Sequence, residues 1–138
     1  MPVKTGYLIL ASALECRLLL SNLHGMFWGL RMAHSGEFDE QCAHRVIDFM
    51  PGQSGEIDKG GTLRLGSYPC CIKAGTKMEE CYGSEQIHER HRHRYEFNNE
   101  YRGELEKAGL VISGTSPDGR LVETIELPEH PFFIGVQF

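Results

Sequence analysis

Short runs of apolar residues, several of them alternating with polar ones, predict strands in most of the chain. The run "VIDFM" (46–50) has the length of a buried strand and stops at Pro51. "LVIS" and "LVETIEL" flank "SPDG" (116–119), a sequence typical of a turn, and this predicts a β-hairpin. Further extended segments are predicted at "TLRLGSYPCCI" (62–72), "HERHRHRYEF" (88–97) and "FFIGVQF" (132–138).

Two short helices are predicted between these strands. The first is a weak helix or turn around Lys77–Tyr82. The second covers "EYRGELEKAG" (100–109), with Asn98 or Asn99 as the N-cap and Gly109 placed to end it. We expect Tyr101, Leu105 and Ala108 to share its apolar face. The pattern as a whole predicts a mixed α/β fold in which strands dominate.

Composition and charge narrow the classes of protein. The chain has 138 residues, of which 41% are hydrophobic and 24% charged, as in one soluble globular domain. Its net charge of −5 argues against a general nucleic-acid binder, which needs a basic face. No uninterrupted run of about 18 apolar residues predicts a membrane-spanning helix.

The cysteines favour a reducing compartment. There are five, an odd number, and two of them are adjacent; none forms a CxxC pair. We therefore expect neither a disulfide framework nor a four-thiolate zinc site. We expect a cytoplasmic location. The five are Cys16, Cys42, Cys70, Cys71 and Cys81.

The segment "ERHRHRYEFNNEYR" (89–102) is the strongest candidate for chemistry. If it is a strand, His91 and His93 lie on one face, and the arginines 90, 92 and 94 lie on the other. Three guanidinium groups in a row suit a carboxylate or phosphate ligand. Two histidines suit a metal, although no third ligand follows at a typical spacing. The remaining interpretation is a polar strand whose charge is balanced by Glu89, Glu96 and Glu100.

Other motifs give weaker signals. The loops "DKGGTLRLG" (58–66) and "SGTSPDGRLVE" (113–123) match no phosphate-binding motif, and tight turns explain their glycines better. No cysteine lies in a recognisable nucleophile elbow, so a Cys–His nucleophile pair rests on composition alone. His130, beside two prolines, is predicted to be a loop residue and not a base.

Four segments together resemble one enzyme family. "GGTLRLGSYPC", "ERHRHRYEFNNEYR", "SGTSPDGRLVE" and "HPFFIGVQF" occur in this order and at these distances in the C-terminal glutamine amidotransferase domain of CTP synthases. The resemblance runs from about Ala33 to Phe138. It implies an incomplete form of the flavodoxin-like α/β fold of class I amidotransferases. It also implies a part in the ATP-dependent amination of UTP to CTP, with glutamine as the ammonia donor.

The resemblance assigns two binding residues and no catalytic ones. Glu37 in "HSGEFD" matches a glutamate that binds the α-ammonium group of glutamine, and Arg94 matches a glutamine-binding arginine. The family's catalytic cysteine lies in a "GICLGMQ"-like elbow that this sequence lacks. Its catalytic histidine and glutamate follow the position of Gln137–Phe138. We therefore expect no glutamine hydrolysis by the chain as written, and His130 matches a non-catalytic position.

Residues 1–32 are expected to be an out-of-frame segment that replaces the elbow region. Ile9 to Arg17 can be encoded so that the same bases, read from the third one, give Leu-Gly-Ile-Cys-Leu-Gly-Met-Gln. Similar shifted readings of the flanks give family-like sequence. The alternatives are an atypical N-terminus, or an export signal with Cys16 as a lipidated cysteine, as the apolar run 8–23 would suggest.

The resemblance also sets expectations for cofactors and partners. We expect this chain to bind no cofactor, because the parent enzyme would use ATP and Mg²⁺ on a separate synthetase domain. That domain and glutamine are the expected partners, and the parent is expected to be a homotetramer. No nucleic acid, membrane or metal is expected. The alternative function is a non-catalytic module, derived from the same domain, that binds glutamine or a partner protein.

Overall fold

A computed structural model describes residues 9–11, 33–36, 39, 41, 43–49, 64–93 and 95–138 of the chain. These residues form nine strands, two α-helices and one 3-10 helix. The strands are β1 (Ile9–Ala11), β2 (Ala33–Ser35), β3 (His44–Phe49), β4 (Arg64–Ile72), β5 (Gln86–His93), β6 (Tyr95–Phe97), β7 (Val111–Thr115), β8 (Val122–Glu126) and β9 (Phe133–Val136). The helices are α1 (Lys77–Tyr82), the 3-10 turn Asn99–Tyr101 and α2 (Arg102–Lys107). The predicted mixed α/β fold is confirmed.

The strands build two sheets. The larger sheet has the order β1-β9-β8-β7-β4-β5, in which only β1 and β9 pair in parallel. The smaller sheet has the order β2-β3-β6, with β2 parallel and β6 antiparallel to β3. Apolar side chains of β7, β8 and β9 pack against β3, β6 and α2 on one face of the large sheet. On the other face, Met78 of α1 packs with side chains of β4, β5 and β9.

The predicted hairpin is confirmed in detail. β7 and β8 pair antiparallel, and the turn between them contains Gly119 with a positive φ of 73°. Inside this turn the hydroxyl of Ser116 donates to Asp118 at 2.5 Å, and Nε of Arg120 donates to the same carboxylate at 2.6 Å. These hydrogen bonds hold the pKa of Asp118 below its ordinary value.

Side-chain caps start α1 and the 3-10 turn that leads into α2. Thr76 accepts a hydrogen bond from the backbone N–H of Glu79 and starts α1 where a helix was predicted. Asn98, one of the two predicted N-caps, accepts from the N–H of Glu100 and caps the 3-10 turn. The α-helix that follows starts only at Arg102 and has no side-chain cap of its own. The predicted apolar face is wrong in one member, because Ala108 is exposed. Ala108 is the C-cap that follows the last residue of α2, and Leu105 is the buried residue of this helix.

None of the helices in the described residues is long and apolar enough to cross a membrane. Most of residues 1–32, residues 51–63, Glu37 and Arg94 lie outside the described residues. The out-of-frame hypothesis and the two glutamine-binding assignments therefore stay predictions.

Candidate functional site

A cluster of buried charged side chains lies between β4, β5 and β8. Glu123 of β8 is completely buried. One of its carboxylate oxygens lies 2.5 Å from Nη1 of Arg64, and the other lies 2.8 Å from Nε2 of His91. Arg64 and His91 are also buried, with 6% and 2% of their surface exposed. A buried carboxylate of this kind is stable only because two basic groups face it.

A second buried carboxylate continues the cluster towards β6. Oε1 of Glu96 lies 3.5 Å from Nη1 of Arg64 and 3.4 Å from Nδ1 of His93. In the amide orientation that satisfies its neighbours, Gln137 donates to Oε2 of Glu96 at 3.0 Å and accepts from the backbone N–H of Phe97 at 3.2 Å. Gln137 thereby ties the end of β9 to β6. We call these six residues the buried polar cluster: Arg64, His91, His93, Glu96, Glu123 and Gln137.

The contacts of its two ring nitrogens hold the side chain of His91 in place within the cluster. Its Nδ1 lies 3.0 Å from the carbonyl oxygen of Glu89, and its Nε2 faces Glu123. A carbonyl oxygen only accepts hydrogen bonds, so Nδ1 is placed to donate to it. Nε2 and the guanidinium of Arg64 lie against the two oxygens of the Glu123 carboxylate.

Aromatic rings enclose this arrangement. The ring of Tyr68 meets His91 edge-on at 5.6 Å between centroids, and the guanidinium of Arg64 lies 4.6 Å above the same tyrosine ring. Phe138 meets His91 from another side at 5.6 Å. These rings keep water away from the ions, which strengthens the attraction between opposite charges.

The strand that carries the histidines has the predicted alternation. His91 and His93 are buried, whereas Arg90 and Arg92 are exposed on the opposite face. The histidines contact carboxylates. Among the described residues, no three His, Cys, Asp or Glu side chains are arranged so that they could hold a metal ion. The metal interpretation thus finds no support in the described part of the chain.

The simple charge-balance interpretation of this strand is wrong for Glu96. That residue is buried and contacts His93 and Arg64, on the side of the strand away from the exposed arginines. Glu89 instead accepts a hydrogen bond from the hydroxyl of Tyr82 at 2.7 Å. A period-two pattern made only of polar residues does not say which face is buried, and sequence reasoning missed the cluster for this reason.

Two further predictions concern possible nucleophiles and bases. Burial raises the pKa of the Cys70 thiol to about 12, with a smaller contribution from Glu123, so Cys70 is not an activated nucleophile. His130 lies in the loop between β8 and β9, as predicted. Its Nδ1 accepts a hydrogen bond from the backbone N–H of Phe132, which gives this histidine a local structural contact.

The small sheet brings together the chain segments next to the two predicted binding residues. Ser35, at the end of β2, pairs with Ile47 of β3, and Tyr95, at the start of β6, pairs with Phe49 of the same strand. Because β2 runs parallel and β6 antiparallel to β3, both points lie towards the same end of the sheet. They flank β3, and two strand spacings together with an offset of two residues along β3 place them about 12 Å apart. Glu37 follows Ser35 by two residues, and Arg94 directly precedes Tyr95.

Known proteins are similar to this chain. A family model for class-I glutamine amidotransferases matches residues 30–138. The CTP synthase of Rubrobacter xylanophilus is 64% identical over 110 residues, which are 80% of this chain and 20% of that protein. The CTP synthase of Roseiflexus castenholzii is 62% identical over 106 residues, or 77% of this chain and 19% of that protein. The chain thus spans about a fifth of the length of the curated relatives it matches.

A solved structure of a CTP synthase domain has a similar fold. The glutaminase domain of Trypanosoma brucei CTPS, determined with bound acivicin, superposes with a TM-score of 0.85 at 32% sequence identity. The match covers 94% of this chain and 50% of that one. The predicted fold class is therefore confirmed. Family model, relatives and fold agree that this chain belongs to the class-I glutamine amidotransferase family and resembles the glutaminase domain of CTP synthases.

Proposed function

We propose that this chain is a fragment of the glutamine-hydrolysing domain of a CTP synthase and that it binds glutamine without hydrolysing it. The whole enzyme would aminate UTP to CTP with ATP, using ammonia that this domain releases from glutamine. The identity of about 60% to CTP synthases, over four-fifths of the chain, supports the assignment. The chain corresponds to only a fifth of those proteins, and the synthetase domain is the proposed partner of this domain.

The observation that carries the binding proposal is the shared end of the small sheet. Segments that lead directly to Glu37 and Arg94 lie on either side of β3, about 12 Å apart. A carboxylate and a guanidinium suit an amino acid, whose ammonium and carboxylate groups carry opposite charges. In this proposal Glu37 binds the α-ammonium group and Arg94 binds the α-carboxylate.

Two members of the buried polar cluster lie next to the proposed binding residue Arg94 in the sequence. His93 and Glu96 stand on the two sides of position 94 in the sequence, and they contact each other through Nδ1 and Oε1 at 3.4 Å. Both are buried. Buried, hydrogen-bonded flanks restrict the backbone on either side of a binding residue, which lowers the entropy lost on binding.

The proposed lack of hydrolysis follows from the residues that the chemistry needs. Attack on the glutamine amide needs a thiolate, and proton transfer needs a histidine oriented by a carboxylate. The 138 residues contain no cysteine in an elbow-like sequence, and Cys70 is buried with a raised pKa. We expect ammonia release from glutamine by the purified chain to equal the blank.

Isothermal titration with L-glutamine at millimolar concentration tests the binding. We expect measurable heat for the wild-type chain and at least about tenfold weaker binding for Arg94→Met and for Glu37→Gln, because each removes a charge-assisted contact. Lys107→Met and Glu104→Gln, at exposed positions of α2, make the same changes of charge away from the site and should bind as the wild type does. Equal affinities for all five proteins, or no heat for the wild type, would contradict the proposal.

A further inference from the structure

The outer face of β5 carries charges that the proposed function does not use. His88, Arg90 and Arg92 are exposed there, while the alternate residues Ile87 and His91 point into the protein. Neither arginine forms an ion pair with a residue of the described part of the chain. Two unpaired guanidinium groups two residues apart, about 7 Å along a strand, are positioned to bind an anionic partner.

The neighbouring strand contributes no acidic residue to this face. In the register of β4 and β5, Leu65 lies opposite Arg92, and Ser67 lies opposite Arg90. Pro69 lies opposite His88. Leu65 is 55% exposed and is the more exposed of the two large apolar side chains that the described residues leave in solvent. In a chain with a net charge of −5, this face is basic with an apolar patch at one end.

The strand also lies at the edge of its sheet. Among the described residues, β5 is the last strand of the six-stranded sheet, and it pairs only with β4 over eight residues. Alternate backbone N–H and C=O groups along its outer side therefore point away from the sheet and can pair with another strand. A second copy of β5 would bring arginines against arginines, and this repulsion disfavours pairing between copies.

We propose that the outer edge of β5 binds an extended acidic segment of a partner protein, which adds to the sheet as a further strand. Its backbone hydrogen-bonds to β5, and acidic side chains at alternate positions face Arg90 and Arg92. Backbone pairing supplies affinity for any extended peptide, whereas the arginines select alternating acidic sequences.

Fluorescence anisotropy with a labelled peptide of four Val-Glu repeats tests this proposal on the full chain. We expect saturable binding at low salt and about tenfold weaker binding by the double variant Arg90→Glu/Arg92→Glu, because like charges then face each other. The variant Lys73→Glu/Lys107→Glu changes the net charge equally at exposed positions outside this face. It should bind within about twofold of the wild type.

A second peptide separates strand addition from simple charge attraction. Replacing two central valines by proline keeps the charge but removes backbone donors and blocks pairing at an edge. We expect this peptide to bind at least about tenfold more weakly than the first. Three results would overturn the proposal: the proline peptide binds as tightly as the first peptide, both double variants lose affinity equally, or the first peptide does not bind at millimolar concentration. Each variant should show the wild-type circular dichroism spectrum.

Discussion

Replacing Arg64 by methionine tests how far the fold depends on the buried polar cluster. The guanidinium lies 2.5 Å from the carboxylate of Glu123 and 3.5 Å from that of Glu96, and all three side chains are buried. Methionine keeps most of the length of the side chain beside Tyr68. It removes the positive charge that faces the buried carboxylates of Glu96 and Glu123. Removing one partner of a buried ion pair costs about 3–5 kcal/mol, a large share of the free energy of unfolding of a small domain.

Urea unfolding followed by circular dichroism measures this loss. The matched control is Arg45→Met, because Arg45 lies 3.9 Å from Asp48 at the surface and such exposed pairs contribute at most about 1 kcal/mol. The double variant Arg64→Met/Glu123→Gln should recover about 1–2 kcal/mol, since it removes one of the uncompensated charges. A cost for Arg64→Met no larger than that of Arg45→Met would refute the reasoning, and so would a double variant less stable than the single one.

Three other predictions concern the hairpin of β7 and β8 and the helix α2. A Cβ at Gly114 would lie 2.5 Å from Oγ1 of Thr124 and 2.8 Å from Sγ of Cys70, so Gly114→Ala should cost about 1–3 kcal/mol in urea unfolding. Gly103→Ala in α2 meets nothing within 4 Å and should stabilise the chain by about 0.5–1 kcal/mol; the reverse order of the two would contradict the packing argument. The lowered pKa of Asp118 means that its ionised form stabilises the folded chain above the unfolded pKa of about 3.9, and that this contribution is lost as the pH falls below it. Asp118→Asn should therefore lower the thermal midpoint at neutral pH, with a difference from the wild type that shrinks on acidification; a difference that grows would show the opposite linkage.

The strands were predictable from sequence because their patterns are local. Alternation along β5 and the turn residues before Gly119 need no knowledge of the rest of the chain. The buried polar cluster was not predictable in the same way. Glu123 is 32 residues from His91 in the sequence, and nothing in either segment shows that they meet. The family resemblance supplied Glu37 and Arg94, which stay predictions because they lie outside the described residues.

The cluster gives a physical reason why four distant segments together carry the resemblance. Each supplies at least one member: Arg64 from "GGTLRLGSYPC", His91, His93 and Glu96 from "ERHRHRYEFNNEYR", Glu123 from "SGTSPDGRLVE" and Gln137 from "HPFFIGVQF". Buried ions and amides restrict their neighbours more than apolar side chains do, because a substitution leaves a partner without its hydrogen bond or counter-charge. Since the same cluster reaches both sides of Arg94 in the sequence, loss of one member should weaken glutamine binding as well as folding. Measuring both quantities on Arg64→Met would show whether stability and binding change together, as this shared cluster requires.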